Sequence, residues 1–109
     1  MEDCVFCNIV NREMHADIVF ENKQVVVIKD ILPKAPVHVL ILPKKHIESV
    51  TSLAETDEAM LGQLVLVAKH VAEEQGIAET GYKLIFNVGK HGGQVIKHLH
   101  MHMLGGKQL

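Results

Sequence analysis

The chain has 109 residues, of which 48% are hydrophobic and 22% charged, and its formal net charge is −2. A chain of this length and ordinary composition holds one hydrophobic core, so we expect a single domain over residues 1–109. Lysine and arginine form no run, which argues against binding to nucleic acid or to a membrane surface. The longest apolar stretches, such as VLIL, are too short to span a bilayer. The first residues show no signal-peptide pattern, so we expect a cytoplasmic protein.

The first half of the chain predicts one short helix followed by strands. Residues 4–13 have apolar residues at helical spacing and predict a short N-terminal helix. Residues 17–22 and 24–30 are rich in β-branched side chains and predict a hairpin. Two prolines make residues 31–36 a rigid irregular connection, and residues 37–43 predict the next strand.

One long helix is predicted over residues 58–75. Gly76 suits a C-terminal stop, and the capping-box spacing of Ser52 and Glu55 predicts a helical turn before the helix. The stripe of this helix that faces the core is expected to comprise Leu61, Leu64, Val65, Ala68, Val71 and Ala72.

Two further strands are predicted at residues 82–88 and 97–104, joined through a glycine-rich loop at residues 89–94. Strands precede and follow the long helix without regular alternation of strand and helix. We therefore expect an α+β fold with a mainly antiparallel sheet. The many apolar strand faces in so short a chain favour a dimer that extends the sheet.

Three histidines alternate with apolar residues in the stretch HLHMHML, residues 98–104. In a strand, His98, His100 and His102 would share one face, while the apolar residues would pack under the long helix. Neighbouring histidines would lie roughly 6–7 Å apart and the outer pair about 13 Å apart, so a single tetrahedral zinc centre with all three is strained. The remaining interpretations are a nucleophilic imidazole flanked by phosphate-binding ones, or an accidental polar face.

The loop before these histidines combines glycines with polar side chains, in the stretch NVGKHGGQ. Glycines let a backbone approach a ligand closely and present N–H groups to phosphate oxygens. Beside the histidines this loop predicts phosphate binding, and an ordinary β-turn is the alternative.

Cys4 and Cys7 have the CxxC spacing that is common at zinc sites. A buried helical cysteine pair and a redox-active pair are the alternatives. Without a secretory signal, a metal or redox role fits better than a structural disulfide.

The alternation HLHMHML resembles the signature of the histidine triad (HIT) proteins, and the LGGKQ that follows resembles their Hint branch, the nucleoside phosphoramidases. The segments CVFCNIV, FENKQVVVIKDILPKAPVHVLILPKKHI and NVGKHGGQ extend the resemblance over nearly the whole chain. It implies a HIT-like fold, with one long helix, a short N-terminal helix and a mainly antiparallel sheet continued across a homodimer.

The resemblance also implies a nucleophile. His100 would attack the α-phosphate of a purine nucleotide and form a nucleotidyl-histidine that water then cleaves. The backbone carbonyl of His98 would orient the His100 ring and fix its tautomer. His102 would contact the phosphate, and His38 would be the fourth histidine of the site.

For the nucleotide, the resemblance implies that Asp30 holds the ribose hydroxyls. The base pocket would be lined by Phe6, Ile9 and Ile31, and the phosphate cradle would be completed by Asn87, Gly93 and Gln94. Val95 departs from the family, which often has Ser or Thr there with a hydroxyl on the phosphate. The chain also ends at GGKQL, without the C-terminal tail of several relatives.

A structural zinc is the one metal that the resemblance implies, and catalysis would require none. Its ligands would be Cys4, Cys7, His46 and His98. From the sequence pattern alone, His46 is equally an ordinary polar residue that starts a turn.

The resemblance therefore implies a hydrolase of purine nucleoside 5′-phosphoramidates or related aminoacyl-adenylates. Hydrolysis of dinucleoside polyphosphates, the activity of the sister branch, is one alternative. A nucleotide-binding module with little turnover is another, because Val95 lacks the hydroxyl.

Overall fold

The computed structural model describes residues 4–109, so residues 1–3 of the predicted domain lie outside it. The fold is α+β, as predicted: a five-stranded antiparallel sheet of order β1-β2-β3-β5-β4, one long helix and one short helix. No helix in the described range is both long and apolar enough to cross a bilayer. The elements are α1 (Val5–Val10), β1 (Ile18–Glu21), β2 (Val25–Lys29), β3 (Val37–Pro43), α2 (Glu58–Glu74), β4 (Tyr82–Phe86) and β5 (Met101–Gly105).

The centre of the sheet is covered on both faces, which explains why residues 25–28 of β2 and 39–42 of β3 are continuous apolar runs. On one face, α2 packs over Val25, Val27, Val39, Ile41, Met101 and Met103. On the other face, α1 and its cysteines pack over Val26, Ile28, Leu40 and Leu42. His38 and His102 belong to this second face, since His38 is two residues from Leu40 along β3 and His102 pairs with Leu40 across the ladder.

Helix α2 ends as predicted. Gly76 has a φ of +76°, its N–H donates to the Glu73 carbonyl, and the Ile77 N–H donates to the Ala72 carbonyl at 3.0 Å. This pattern is a Schellman motif, and it favours glycine because the position is left-handed.

The predicted apolar stripe of α2 is wrong at one position. Val65 is 48% exposed, and Val67 is buried in its place. Because each helical residue advances about 100° around the axis, Val65 lies well away from the centre of the buried face, which runs through Leu64 and Val71. The predicted turn before the helix is present as two 3₁₀ turns, Val50–Ser52 and Glu55–Asp57. The Asp57 carboxylate accepts the Ala54 N–H there at 2.9 Å.

The last strand is shorter than predicted. It begins at Met101, so His98 and His100 precede it in irregular backbone. The reason is non-local, because the Leu99 N–H donates to the Ile47 carbonyl at 2.6 Å and not to a neighbouring strand. The predicted separation of apolar residues from histidines is nevertheless present, since Leu99, Met101 and Met103 all lie in the core under α2.

Candidate active site

Four histidines meet on the sheet face that α1 covers. β3 contributes His38, the segment before β5 contributes His98 and His100, and β5 contributes His102. The first three are buried, and His102 is half-buried. The rings of His100 and His102 are 5.2 Å apart, as are those of His38 and His102. The structure thus gathers the predicted histidines into one continuous group.

His100 is held by its own backbone neighbour and by α1. Its Nδ1–H donates to the His98 carbonyl at 2.7 Å, which assigns the hydrogen to Nδ1 and leaves a lone pair on Nε2. The Phe6 ring packs edge-on against His100, with centroids 5.0 Å apart. Since both the tautomer and the ring plane are constrained, Nε2 keeps an available lone pair, which is the chemical requirement for a nucleophile that needs no separate base.

His38 and His102 form a hydrogen-bonded pair. The backbone N–H of Lys34 donates to His38 Nδ1 at 3.1 Å, so the hydrogen of a neutral His38 is on Nε2. This Nε2–H donates to His102 Nδ1 at 2.9 Å. The hydrogen of His102 is therefore on its own Nε2, as a donor beside His100.

Burial keeps this pair neutral in the free protein. Desolvation, together with the neighbouring His100 and His38, lowers the pKa of His102 to about 4. The pKa of His38 is also lowered by burial, although the Asp30 carboxylate opposes that shift. A neutral imidazole whose pKa is below 7 donates through one nitrogen only, so the tautomer decides what His102 offers to a ligand.

Cys4, Cys7, His46 and His98 form a second cluster beside the histidine group, with their ligand atoms within 4.8 Å of one another. The four sulfur–nitrogen distances are 3.5 and 3.3 Å from Cys4 Sγ and 3.3 and 3.6 Å from Cys7 Sγ to the Nδ1 atoms of His46 and His98. The two Nδ1 atoms are 3.2 Å apart. A tetrahedral zinc with Zn–S near 2.3 Å and Zn–N near 2.0 Å requires edges of about 3.5 Å and about 3.3 Å. The donor set therefore fits zinc.

The protonation of this cluster also suits a cation. His98 Nε2–H donates to the Pro43 carbonyl at 2.8 Å, which leaves the Nδ1 lone pair free for a metal. Burial lowers the pKa of His98 to about 4, so its ring is neutral. Burial and the neighbouring Cys4 raise the pKa of Cys7 to about 11. A bound cation would offset that effect by stabilising the thiolate.

Asp30, His38 and His102 are also close enough to be considered as metal ligands. Here the hydrogen bonds argue against a metal. A metal on His38 Nε2 would require the hydrogen on Nδ1, where the Lys34 N–H already donates. The arrangement is therefore a hydrogen-bonded chain and not a metal centre.

The glycine-rich loop is held in place by the side-chain amides of Asn87 and Gln94. Asn87 Nδ2 donates to the Gly92 carbonyl at 2.9 Å. Gln94 accepts the Gly89 N–H through Oε1 and donates through Nε2 to the Glu48 carbonyl at 2.7 Å. A Cβ at Gly92 would lie 2.2 Å from the Val88 carbonyl oxygen, so only glycine fits there. The predicted phosphate cradle is thus a braced loop, in which Asn87 and Gln94 hold the backbone of the turn.

The predicted nucleotide pocket is brought together only in part. Phe6 and Ile9 are buried beside the cysteines, whereas Ile31 is 91% and Val95 is 90% exposed. Ile31 follows the end of β2 in the proline-containing connection, where no strand holds it against the sheet. A cavity of about 630 Å³ lies elsewhere, between the end of α2 and the C-terminal residues, and no histidine lines it.

Three contributors to the site were missed because they act through the main chain. The Lys34 N–H orients His38, the Pro43 carbonyl orients His98, and the Ile47 carbonyl holds Leu99 between the first two histidines of the triad. A side-chain pattern carries no signal for such contacts. The two prolines around Lys34 are the single sequence feature that indicated a rigid backbone there.

The similarity of the chain to known proteins covers nearly its whole length. A family model described as "Scavenger mRNA decapping enzyme C-term binding" matches residues 3–108. The purine nucleoside phosphoramidase of Escherichia coli (strain K12) is 44% identical over 108 residues, which are 99% of this chain and 91% of that protein.

Solved structures agree with this similarity. A HIT family hydrolase from Clostridium thermocellum superposes with a TM-score of 0.97 at 49% identity, covering 100% of this chain and 95% of that one. A HIT family hydrolase from Legionella pneumophila Philadelphia 1 gives a TM-score of 0.95 at 44% identity, covering 96% and 94%. A histidine triad protein from Clostridium difficile gives 0.97 at 38% identity, covering 100% and 95%.

Proposed function

Because this chain belongs to the histidine triad family and is Hint-like, we propose that it hydrolyses purine nucleoside 5′-phosphoramidates or related aminoacyl-adenylates. The family membership supports a hydrolase, and the phosphorus–nitrogen bond as its target is our proposal. The observation that carries it is the pair of complementary nitrogens on adjacent rings. His100 Nε2 has a lone pair, and the neighbouring His102 Nε2 has a hydrogen.

In the proposed first step, His100 Nε2 attacks the α-phosphorus and the bond from phosphorus to the leaving nitrogen breaks. The leaving amine needs a proton, and His102 is the donor that lies beside the nucleophile. The negative charge of the bound phosphate favours uptake of one further proton by the His38–His102 pair when substrate binds, against the burial that lowers the pKa of His102 in the free protein. His102 Nε2 passes a proton to the leaving amine, and the pair returns to neutral.

In the second step, water attacks the phosphorus and the bond to His100 Nε2 breaks. The proton released by water returns to the histidine pair. The His98 carbonyl keeps the hydrogen on His100 Nδ1 throughout, so the positive charge that develops on the ring in the intermediate is held by a hydrogen bond.

We also propose a structural zinc bound by Cys4, Cys7, His46 and His98, which supplies folding energy and no chemistry at the phosphate. A homodimer that continues the sheet is supported by β4, which is an edge strand of the sheet.

Rapid mixing of excess enzyme with adenosine 5′-phosphoramidate tests the function. We expect amine release in the first turnover, together with a protein mass increased by one adenylyl group in samples quenched with alkali, in which a bond from phosphorus to histidine survives. A dinucleoside polyphosphate should react more slowly. Faster cleavage of the polyphosphate would contradict the proposed bond specificity, and nucleotide binding without either reaction would support the binding-module alternative.

Val95→Thr tests the departure from the family. Valine and threonine have nearly the same shape, and Val95 is 90% exposed, so the substitution has little steric cost. A hydrogen bond to a charged group contributes about 1.5–3 kcal/mol, and water or backbone N–H groups already offset part of it. We expect kcat/KM to rise several-fold, roughly 1 kcal/mol of transition-state stabilisation. Unchanged kcat and KM would show that the side chain points away from the phosphate.

Asp30→Ala tests the ribose contact by binding alone. Calorimetry should show about tenfold weaker binding of adenosine 5′-monophosphate, since hydroxyls donating to a charged acceptor contribute about 1.5–3 kcal/mol. The 2′,3′-dideoxy analogue has no such hydroxyls and should bind both proteins equally. Equal losses for the two nucleotides would place Asp30 away from the ribose.

A further inference from the structure

Asp30 lies against the histidine pair and not only at the position proposed for the ribose. Its Oδ2 is 3.3 Å from His38 Nε2, and the Asp30 side chain is 18% exposed. Its Oδ1 accepts the backbone N–H of Leu32 at 2.8 Å. One carboxylate oxygen is thus anchored to the main chain, which holds the other next to the nitrogen that bridges to His102.

This placement bears on the tautomer of His38. A carboxylate oxygen is an acceptor only, so a negative charge 3.3 Å from Nε2 favours a hydrogen on that nitrogen and disfavours a lone pair. The Lys34 N–H favours the lone pair on Nδ1, at the other side of the ring. Asp30 and the Lys34 backbone therefore select the same tautomer of His38 from opposite sides.

The tautomer of His38 determines the tautomer of His102 through one hydrogen bond. At 2.9 Å, His38 Nε2 and His102 Nδ1 cannot both carry hydrogens without repulsion. When His38 donates, the hydrogen of His102 is on Nε2. If His38 lost its Nε2–H, His102 would gain a hydrogen on Nδ1, and its Nε2 would change from a donor to an acceptor.

We infer that Asp30 is a positioning residue which acts through His38 to keep the hydrogen of His102 on Nε2. The role operates in the free protein and is independent of any ribose contact. Its effect on turnover rests on the proposed function, because the Nε2–H of His102 affects rate only where it meets a phosphoryl or leaving group.

Asp30→Asn separates this role from ribose binding. The amide can still hydrogen-bond ribose hydroxyls, as donor and as acceptor. With the amide oxygen on the Leu32 N–H, however, its NH₂ faces His38 Nε2 and opposes a hydrogen there. Asp17→Asn is the matched control, since the Asp17 side chain is 72% exposed and lies 3.7 Å from the exposed His15. Asp30→Ala is a second variant, which removes the acceptor without adding a donor.

The deciding measurement is the ¹⁵N chemical shift of the His102 ring nitrogens in the ligand-free protein, assigned by comparison with His102→Gln. We expect a protonated Nε2 and an unprotonated Nδ1 in the wild type and in Asp17→Asn. In Asp30→Asn we expect a measurable shift of the population toward the Nδ1–H form, with a smaller shift in Asp30→Ala. A wild-type His102 protonated on Nδ1, or shifts unchanged in both Asp30 variants, would overturn the inference.

Kinetics supply the second readout. In Asp30→Asn, kcat should fall by about tenfold or more while KM changes less, because an interaction made in the transition state is lost. A fall in kcat with unchanged ¹⁵N shifts contradicts a role through His102. Absence of phosphoramidate turnover in the wild type would count against the proposed function, while the ¹⁵N shifts would still decide the role of Asp30.

Discussion

Replacing His100 by asparagine is expected to lower phosphoramidate turnover by at least about 10³-fold, the scale of losing a covalent nucleophile. Asparagine is smaller than histidine and has an N–H that can donate to the His98 carbonyl, as the His100 ring does at 2.7 Å. The fold and the affinity for adenosine 5′-monophosphate should therefore be kept.

His15→Asn is the control for this experiment, since the His15 side chain is 92% exposed and lies outside the histidine group. It should retain wild-type turnover. Quenched with alkali, His100→Asn should show no adenylylated protein, whereas the wild type should. Turnover near the wild-type rate in His100→Asn would refute the nucleotidyl-histidine mechanism.

Removing the thiol of Cys4 is expected to abolish zinc binding and to lower the melting temperature by more than about 10 °C, because structural zinc contributes directly to folding. Elemental analysis of wild-type protein purified without chelator should show one zinc per chain. A chelator should lower the melting temperature of the wild type and leave that of Cys4→Ala unchanged.

Cys4→Ser is the matched variant, because Cys4 has a second role. Its Sγ accepts the Cys7 N–H at 3.2 Å and caps α1. Serine keeps an acceptor for that N–H but is a poor zinc ligand, so Cys4→Ser should also lose zinc and exceed Cys4→Ala in stability by about 1 kcal/mol. The zinc proposal would be contradicted if the wild type were purified without metal and had the same melting temperature as Cys4→Ser.

The fold class was predictable because its signals are local and repeated. Residues 25–28 and 39–42 are apolar and mostly β-branched, and they became the central strands. Gly76 ended the long helix at the predicted place, since only a left-handed residue satisfies its final carbonyls. Val65 was wrongly predicted to be buried. A valine at the margin of an apolar helical stripe can be buried or exposed, and packing against the sheet decides between the two.

The composition of the site was more predictable than its geometry. The alternation of histidines with apolar residues put the correct side chains toward the core, and the resemblance to a family supplied distant partners such as His46 and Asp30. The break in the strand at His98 was not predictable. It depends on the Ile47 and Pro43 carbonyls, which are about 50 residues away in sequence and have the same chemistry in every residue type.

The sheet that is covered on both faces has a consequence for the newly synthesised chain. Runs such as VVVI and VLIL have the composition of aggregation-prone segments when they are exposed. In the folded chain they pair with each other, with Val26 opposite Leu42 and Ile28 opposite Leu40. Lys29 flanks the first run, and Pro43 with Lys44 flanks the second, so each run ends in residues that discourage pairing between molecules. Because only residues 30–36 separate the two strands, we expect them to pair early in folding, which leaves the other edge of β3 exposed until β5 at the end of the chain covers it.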